Sequence, residues 1–302
     1  MDFAVPAELL TVFLWALGFI FIAYLDLFLD NYTQNFFRFT SAGLFLLFFS
    51  LLLNKEKYLA SFKNFRRLLV PTVMVFAYQI FNVYGIALTT PTIGTLVTRL
   101  SVIFVDVLSF FLFSEEKAII RDKGFLAGTG IALVGVFGVI LSGSSLFYKD
   151  GAIVMFYLGI LSLLVTAMLW AAYIISAKVL LEKVDPLSAT TSIFLVSGFM
   201  YLPFSILSNG FFKIFEVGSI IIVYLVISGI LSIGIGNLLN YYAMQKLGAS
   251  VSTNLQLLIP LFTAILSVVF FGEPMPFEKI VSSAATLVGC WFIVRSGKRW
   301  NA

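Results

Sequence analysis

Long apolar runs dominate this chain, and short polar segments separate them. A helix that crosses a membrane needs about 20 mostly apolar residues, and the positions of the polar interruptions predict ten such helices. Runs such as Leu44 to Leu53 do not alternate between polar and apolar residues, which favours helices over the strands of a membrane β-barrel. The predicted spans are residues 4–25, 33–53, 66–89, 91–113, 124–142, 153–177, 187–208, 219–244, 249–271 and 279–295.

Composition places these helices in a lipid bilayer. The 302 residues are 61% hydrophobic and only 11% charged, which is too apolar for a water-soluble fold. We therefore predict an all-α integral membrane protein. No positive residue precedes the first apolar run and no small-residue cleavage site follows it, so we expect a retained span and not a secretory signal.

Lysine and arginine are distributed unevenly between the predicted loops. With a cytoplasmic N-terminus, 14 of the 19 basic residues fall on the cytoplasmic side, whereas Lys149, Lys213 and Lys279 alone fall outside. The asymmetry predicts that both termini face the cytoplasm. It also accounts for the net charge of +4, so the charge gives no reason to expect a nucleic-acid partner.

The two halves of the chain repeat each other with an almost constant offset. Matching pairs 154 to 158 residues apart are Trp15-Ala16 with Trp170-Ala171, Ala87-Leu88 with Ala243-Met244, Ser114-Glu115 with Gly272-Glu273, and Leu133-Val134-Gly135 with Leu287-Val288-Gly289. We predict a first five-helix repeat at residues 1–143, a linker at 144–152 and a second repeat at 153–302. Because five is odd, the second repeat must cross the membrane in the opposite sense, an arrangement typical of alternating-access transporters.

These motifs resemble the drug/metabolite transporter superfamily, and within it the EamA-type ten-helix transporters. The resemblance rests on the two repeated tryptophans, Phe37-Arg38-Phe39, and the run from Tyr242-Ala243-Met244 through Gly248-Ala249-Ser250 and Leu258-Ile259-Pro260 to Gly272-Glu273. It implies a secondary transporter of small organic solutes, often an exporter of amino acids or related metabolites, that does not hydrolyse ATP. It also implies a role for Arg38 in recognising an anion, although its depth of about 7 Å would let it reach the outer surface.

The fourth predicted span holds two charges that are expensive at membrane depth. A charged group at the bilayer centre costs at least about 2.5–3.5 kcal/mol, and Arg99 and Asp106 both lie inside this span. They either pair with each other or with another helix, or they serve transport. In the second case Arg99 binds a substrate carboxylate, and Asp106 binds a substrate amine or a transported proton.

Other polar side chains at membrane depth are candidates for the lining of a central cavity. Such residues normally face the interior of a helix bundle, where hydrogen bonds between helices also account for them. Pro260 is expected to kink its helix or gate the cavity, because proline leaves a backbone carbonyl unpaired. Glu8 is a candidate proton carrier, unless it reaches the interface. Trp15 and Trp170 either stack on substrate or pack the core. The remaining candidates are Gln79, Asn82, Tyr84, Asn237, Asn240, Asn254 and Gln256.

The sequence offers little support for an enzyme. It has no histidine, no phosphate-binding loop and a single cysteine, Cys290, so we expect no catalytic residues, no metal and no cofactor. The favoured function is secondary transport, with a small-molecule substrate, across the cell (inner or plasma) membrane by a monomer or homodimer. The alternative is a flippase for a lipid-linked group, or an accessory membrane protein of the same superfamily.

Overall fold

The computed structural model describes residues 3–88, 97–141, 153–271 and 275–300, which are nearly all helical and contain no β-strand. The predicted linker at 144–152 and the Gly272-Glu273 motif lie outside these residues. The main helices of the first half are α1 (Ala4–Leu25), α2 (Asn31–Ser61), α3 (Phe65–Leu88), α4 (Ser101–Leu112) and α5 (Lys123–Leu141).

The second half contains two helices with internal irregularities. Its regular helices are α6 (Ile153–Leu181), α7 (Pro186–Leu207) and α10 (Phe277–Trp300). Helix α8 runs through Ser219–Ser228, a π-helical segment Gly229–Ile235, and Gly236–Leu247. Helix α9 runs through Ala249–Leu255, a 3₁₀ turn Gln256–Leu258, and Ile259–Phe271.

Among the described residues, seven helical stretches are long and apolar enough to cross a membrane, and one of them, Asn31–Ile86, contains α2 and most of α3. Two shorter apolar helices, Ser101–Leu112 and Lys123–Gly138, fall on the fourth and fifth predicted spans. The chain is thus an all-helical, multi-pass membrane protein. That all ten predicted segments cross the bilayer remains a prediction.

The polar segment between the second and third predicted spans, residues 54–65, is largely helical. Asn54 leaves the helical conformation, with φ −161° and ψ 68°, and its side-chain oxygen accepts a hydrogen bond from the Lys57 backbone N–H at 3.2 Å. An asparagine that accepts from the N–H three residues on caps a new helical turn. The polar residues that follow therefore continue as helix.

Packing between the helices follows the repeat. Helix α2 runs antiparallel to its counterpart α7, as the hydrogen bonds of Thr33 with Ser205 and of Ser50 with Thr191 require. Helix α3 packs against α6, and α1 packs in the equivalent way against α8. The pair α3–α6 thus corresponds to the pair α8–α1, and α2 packs against its own counterpart α7. The two halves therefore have equivalent structures in opposite orientations.

Helix capping shows the same equivalence. Asp30 caps α2 by accepting hydrogen bonds from the N–H groups of Tyr32 and Thr33, and Asp185 caps α7 by accepting from that of Ser188 at 3.1 Å. Carboxylates at these positions satisfy backbone donors that the first helical turn leaves free. The two caps are 155 residues apart, as are Trp15 and Trp170.

Glycines of α5 bring that helix close to α10, and these two helices are antiparallel. A Cβ atom on Gly128 would lie 2.7 Å from the carbonyl oxygen of Gly289, closer than real Cβ contacts. Small residues at such positions let two helix backbones approach closely in a membrane. The close contact of α5 thus lies inside one chain.

Candidate functional site

A cavity of about 520 Å³ lies between the two halves of the protein. On α1 it is lined from Trp15 to Asp26, a depth of about 16 Å at 1.5 Å per residue. The start of α2 forms another wall at Asn31 and Asn35, and residues of α3, α6, α7, α8, α9 and the segment that begins α4 line the rest. Asp26 is exposed, so the mouth of the cavity lies where α1 ends and α2 begins.

Eight of the eleven substrate-binding residues predicted from the sequence line this cavity. They are Trp15, Arg38, Gln79, Asn82, Arg99, Trp170, Asn237 and Gln256. The other three lie outside the lining. Tyr84 is 54% exposed on the opposite side of α3, whereas Asn240 and Asn254 are fully buried in hydrogen-bond networks.

Three aromatic rings, which we call the aromatic floor, close the deep part of the cavity. Trp15 and Trp170 meet edge to face with ring centroids 5.7 Å apart, and Tyr78 lies 5.0 Å from Trp170. The Trp15 indole nitrogen donates to the carbonyl oxygen of Ser232 at 3.0 Å, which fixes its ring. Trp15 comes from the first repeat and Trp170 from the second, so the floor spans the interface between repeats.

Arg38 is held in the wall of the cavity by α8. It is 3% exposed, and its Nε and Nη2 atoms donate to the hydroxyl oxygens of Ser228 and Ser232, both at 3.1 Å. It therefore faces the interior of the bundle and not the outer surface. Ser232 lies within the π-helical segment of α8, a type of irregularity frequent at functional sites.

Asp26 stands at the mouth above Arg38. Gln34 donates a hydrogen bond to it at 2.5 Å. Partial loss of water raises the pKa of the Asp26 carboxyl above its ordinary value, and the hydrogen bond from Gln34 and the charge of Arg38 oppose that rise. The carboxylate thus already has a hydrogen-bond donor and a nearby positive charge.

Arg99 lies in a turn before α4 and faces the cavity without a charged partner. It forms no ion pair with any described residue, and its buried Nε atom has no hydrogen-bond partner among them. Pairing between Arg99 and Asp106, which the sequence left open, does not occur. A buried nitrogen without a hydrogen-bond partner is costly, so the Nε atom of Arg99 has unsatisfied binding capacity among the described residues.

Asp106 lies away from the cavity and is held by amide groups. The Asn254 side-chain nitrogen lies 3.0 Å from each of its two oxygens, and Thr129 donates to the Asn254 carbonyl oxygen at 2.8 Å. This network joins α4, α5 and α9. The position of Asp106 gives it no contact with a solute in the cavity.

Glu8 lies beneath the cavity and is fully buried. Gln256, which lines the cavity, donates to a carboxylate oxygen of Glu8 at 3.1 Å. The Asn240 amide lies 3.2 Å from the other oxygen and donates to it when its nitrogen points that way. Gln256 is therefore the direct link between Glu8 and the cavity.

The helix interruption next to Gln256 lies directly before Pro260. Proline has no N–H to offer the carbonyl oxygen of Gln256, and the Ile259 N–H bonds that oxygen instead, in the tighter 3₁₀ pattern. Whether Pro260 also acts as a gate remains a prediction.

The end of the protein opposite the cavity mouth is closed by Glu116. Its carboxylate accepts hydrogen bonds from the backbone N–H groups of Ala249 at 2.8 Å and Ser250 at 2.9 Å, where α9 begins. Lys178 of α6 forms ion pairs with Glu116 and, at 3.1 Å, with Glu115. We call Glu116, Lys178 and these two amides the Glu116 cap.

The Glu116 cap joins the two repeats, because Glu116 belongs to the first and its partners to the second. Gly248, just before α9, has φ +86°, which glycine adopts readily and which aims the following amides at Glu116. A backbone hydrogen bond lowers the pKa of the neighbouring Glu115 carboxyl, and Lys178 acts in the same direction. The Glu115 carboxylate is therefore available as a charged partner of Lys178.

Several residues of the site did not emerge from the sequence. Asn35, Tyr78 and Ser232 line the cavity, and Glu116 closes the opposite end. Asn35 precedes Arg38 by three residues and so shares its helix face, a signal that could have found it. The contact of Glu116 with α9 joins residues 133 apart in the chain, and no local pattern marks it.

Comparison with known proteins indicates similarity to membrane transporters. The family model of the EamA-like transporters matches residues 3–141 and 157–295. A Haemophilus influenzae protein described as an uncharacterized transporter is 23% identical over 290 residues, covering 92% of this chain and 93% of its own. An Archaeoglobus fulgidus protein of the same description is 27% identical over 290 residues, covering 95% of this chain and 96% of its own.

A solved crystal structure has the same fold. It matches with a TM-score of 0.80 and 17% identity, covering 98% of this chain and 99% of its own. The two family matches fall one on each structural repeat, and the resemblance seen in the sequence is confirmed. The chain therefore belongs to the EamA-like transporter family.

Proposed function

We propose that this membrane transporter is a secondary active exporter that carries a small organic solute across the cell membrane by alternating access. In this proposal ten helices cross the bilayer as two inverted five-helix repeats, with both termini in the cytoplasm. The cavity mouth then faces outward, as in the state that releases an exported solute. Amino acids and related carboxylates are the first solutes to test.

The observation that carries this proposal is the position of the cavity. It lies between two repeats of opposite orientation, reaches one end of the bundle, and stops at the aromatic floor. Transporters built from inverted repeats bind solute at this interface and expose it to either side by moving one repeat against the other. A cavity that holds polar side chains at membrane depth fits such a binding site.

Opening toward the cytoplasm requires the Glu116 cap to break. The cap ties α9 to α6 and to the segment after α4, so it holds the cytoplasmic end shut while the mouth is open. Charge-assisted hydrogen bonds of this kind are about twice as strong as neutral ones. We propose that the cap stabilises the outward-open state, and that separation of the repeats releases Lys178 and the start of α9.

Glu8 is the group that we propose carries the coupling proton. When Glu8 is ionised, its carboxylate accepts a hydrogen bond from the Asn240 amide, whose nitrogen then points toward it. When Glu8 is protonated, it donates a hydrogen bond to the Asn240 side-chain oxygen instead. In the second arrangement the same oxygen also accepts from Gln256 and Ser252. Proton binding would thereby alter the hydrogen bonds of Gln256, which lines the cavity.

Solute exchange in proteoliposomes tests the proposal. Vesicles containing the purified protein are loaded with a radiolabelled mixture of amino acids and the matching carboxylates, and loss of label is followed with unlabelled mixture outside. The proposal predicts loss well above that of protein-free vesicles. No loss from vesicles with folded, inserted protein would contradict it and would favour the alternative of a flippase for lipid-linked groups.

A further inference from the structure

The charged side chains of the cavity are unevenly divided between its mouth and its depth. Arg38 and Arg99 are the cationic residues of the described lining, and Asp26 is its single carboxylate. Asp26 stands at the exposed mouth and already accepts a hydrogen bond from Gln34. Among the described lining residues, Arg38 interacts electrostatically with Asp26, whereas Arg99 has no carboxylate beside it.

The two carboxylates that could bind a substrate amine are both occupied elsewhere. Asp106 has both oxygens within 3.0 Å of the Asn254 amide nitrogen and does not line the cavity. Glu8 lies below the lining and accepts from Gln256. A positively charged solute group would thus meet Arg99 with no carboxylate beside it among the described residues.

The two arginines differ in how many of their hydrogen-bond donors have partners. Arg38 donates from Nε and Nη2 to two serine hydroxyls, so part of its donor set is used. Arg99 has a buried Nε without a partner among the described residues and no ion pair. A carboxylate can bind a guanidinium through two parallel hydrogen bonds, and it would remove the cost of this unpaired charge.

The remaining surface of the cavity suits an apolar or aromatic body. The aromatic floor lies beside Arg99, because the Tyr78 ring belongs to the floor and its hydroxyl interacts electrostatically with Arg99. Aromatic faces also attract cations, but here the neighbouring guanidinium groups oppose the approach of an ammonium. A volume of about 520 Å³ accommodates one ring with a short chain.

We propose that the transported solute is an organic anion that carries a carboxylate and needs no ammonium group. The carboxylate pairs with Arg99, and the apolar or aromatic body lies on the aromatic floor. The inference rests on the proposed transport function and narrows its substrate class. It predicts that an amino acid binds less well than the same molecule without its amino group.

Three ligands with the same ring separate the charge requirements. They are 3-phenylpropanoate, phenylalanine and 2-phenylethylamine, titrated by calorimetry against the purified full-length protein in detergent. We expect 3-phenylpropanoate to bind at least about tenfold more tightly than phenylalanine, because the ammonium group of phenylalanine would lie near the guanidinium groups. We expect the amine not to bind, because it has no carboxylate for Arg99. The pair 4-methylpentanoate and leucine repeats the comparison without an aromatic ring.

A matched pair of variants shows whether Arg99 is responsible. We expect Arg99→Gln to weaken 3-phenylpropanoate binding at least about tenfold. Arg121→Gln should leave it unchanged, because Arg121 is exposed on the short helix Lys117–Arg121 and lies outside the cavity lining. An equal loss in both variants would point to non-specific binding and would overturn the proposal.

The outcomes separate this inference from the transport proposal. Phenylalanine or the amine binding as tightly as the carboxylate, or no binding of the carboxylate, overturns the anion assignment whether or not transport is found. Binding of the carboxylate through Arg99 without exchange in proteoliposomes supports the anion assignment and contradicts the transport proposal.

Discussion

Trp15 and Trp170 occupy equivalent positions in the two repeats, and their rings meet edge to face with centroids 5.7 Å apart. Each repeat thus contributes one ring to the same contact at the bottom of the cavity. Moving one repeat against the other must change this contact. The aromatic floor is therefore both a surface that a solute in the cavity can touch and a contact between the parts that we propose to move.

Removing one of these rings should weaken solute binding. We expect Trp170→Ala to raise the Michaelis constant for exchange about tenfold, because an aromatic contact contributes about 0.5–1.5 kcal/mol beyond buried area and about 1.4 kcal/mol is a tenfold change. Trp291→Ala is the matched control, since Trp291 is 54% exposed on α10 and is not in the cavity lining. An unchanged Michaelis constant in Trp170→Ala would show that solute does not reach the floor.

The two carboxylates proposed as proton carriers should behave differently. We expect Glu8→Gln to abolish the response of transport to an imposed pH gradient, because glutamine cannot take up a proton and Glu8 is linked to the cavity through Gln256. Asp106→Asn should keep that response, since Asp106 contacts Asn254 and not the lining. The measurement is the initial rate of efflux from proteoliposomes with and without the gradient. A lost response in Asp106→Asn alone would transfer the coupling role to Asp106.

Weakening the Glu116 cap should open the cytoplasmic end. Glu116→Gln removes the ion pair with Lys178 and leaves one oxygen for two backbone N–H groups. A hydrogen bond to a charged group contributes about 1.5–3 kcal/mol, so we expect thiol labelling of a Met244→Cys variant to speed up at least about tenfold. Met244 is 1% exposed beside this end, and Cys290→Ser removes the single native cysteine.

The control for that experiment is Glu182→Gln. Glu182 is an exposed carboxylate that lines, together with Glu116 and Met244, a cleft at this end of the protein. Labelling of Met244→Cys should not change in this background. Equal labelling rates in the Glu116→Gln and unaltered backgrounds would mean that the Glu116 cap does not keep this end closed.

Two glycines of α5 should respond in opposite ways to the same substitution. Gly128→Ala should lower the melting temperature, since its Cβ would lie 2.7 Å from the carbonyl oxygen of Gly289. At Gly130 a Cβ meets nothing within 4 Å, so alanine there should be neutral or stabilising by up to about 1 kcal/mol. Thermal unfolding of both variants in the same detergent makes the comparison. Equal melting temperatures would show that α5 and α10 do not approach this closely.

The positions of the helices and the repeat were predictable because apolar runs and fixed offsets are properties of the sequence alone. The directions of individual side chains were harder to predict from the sequence. Asn254 and Gln256 are two residues apart, which is about 200° around a helix of 3.6 residues per turn. One accordingly contacts Asp106 and the other contacts Glu8 and the cavity.

The same periodicity accounts for Tyr84. Gln79 and Asn82 are three residues apart and share a face, whereas Tyr84 follows Asn82 by two and points away from the cavity. The Glu116 cap could not be predicted, because it depends on how α9 begins beside a turn from the other repeat. The predicted repeat boundaries remain predictions, with the linker at 144–152 outside the described residues.

Accessibility from the two sides of the membrane tests alternating access most directly. In a Cys290→Ser background, Asn82→Cys reports on the cavity and Met244→Cys on the Glu116 end, each labelled by an impermeant thiol reagent added outside or inside right-side-out vesicles. We predict that Asn82→Cys reacts from outside and Met244→Cys reacts from inside. Adding Glu116→Gln should lower the labelling rate of Asn82→Cys and raise that of Met244→Cys. Rates that rise together at both positions would indicate a continuous pore and would contradict alternating access.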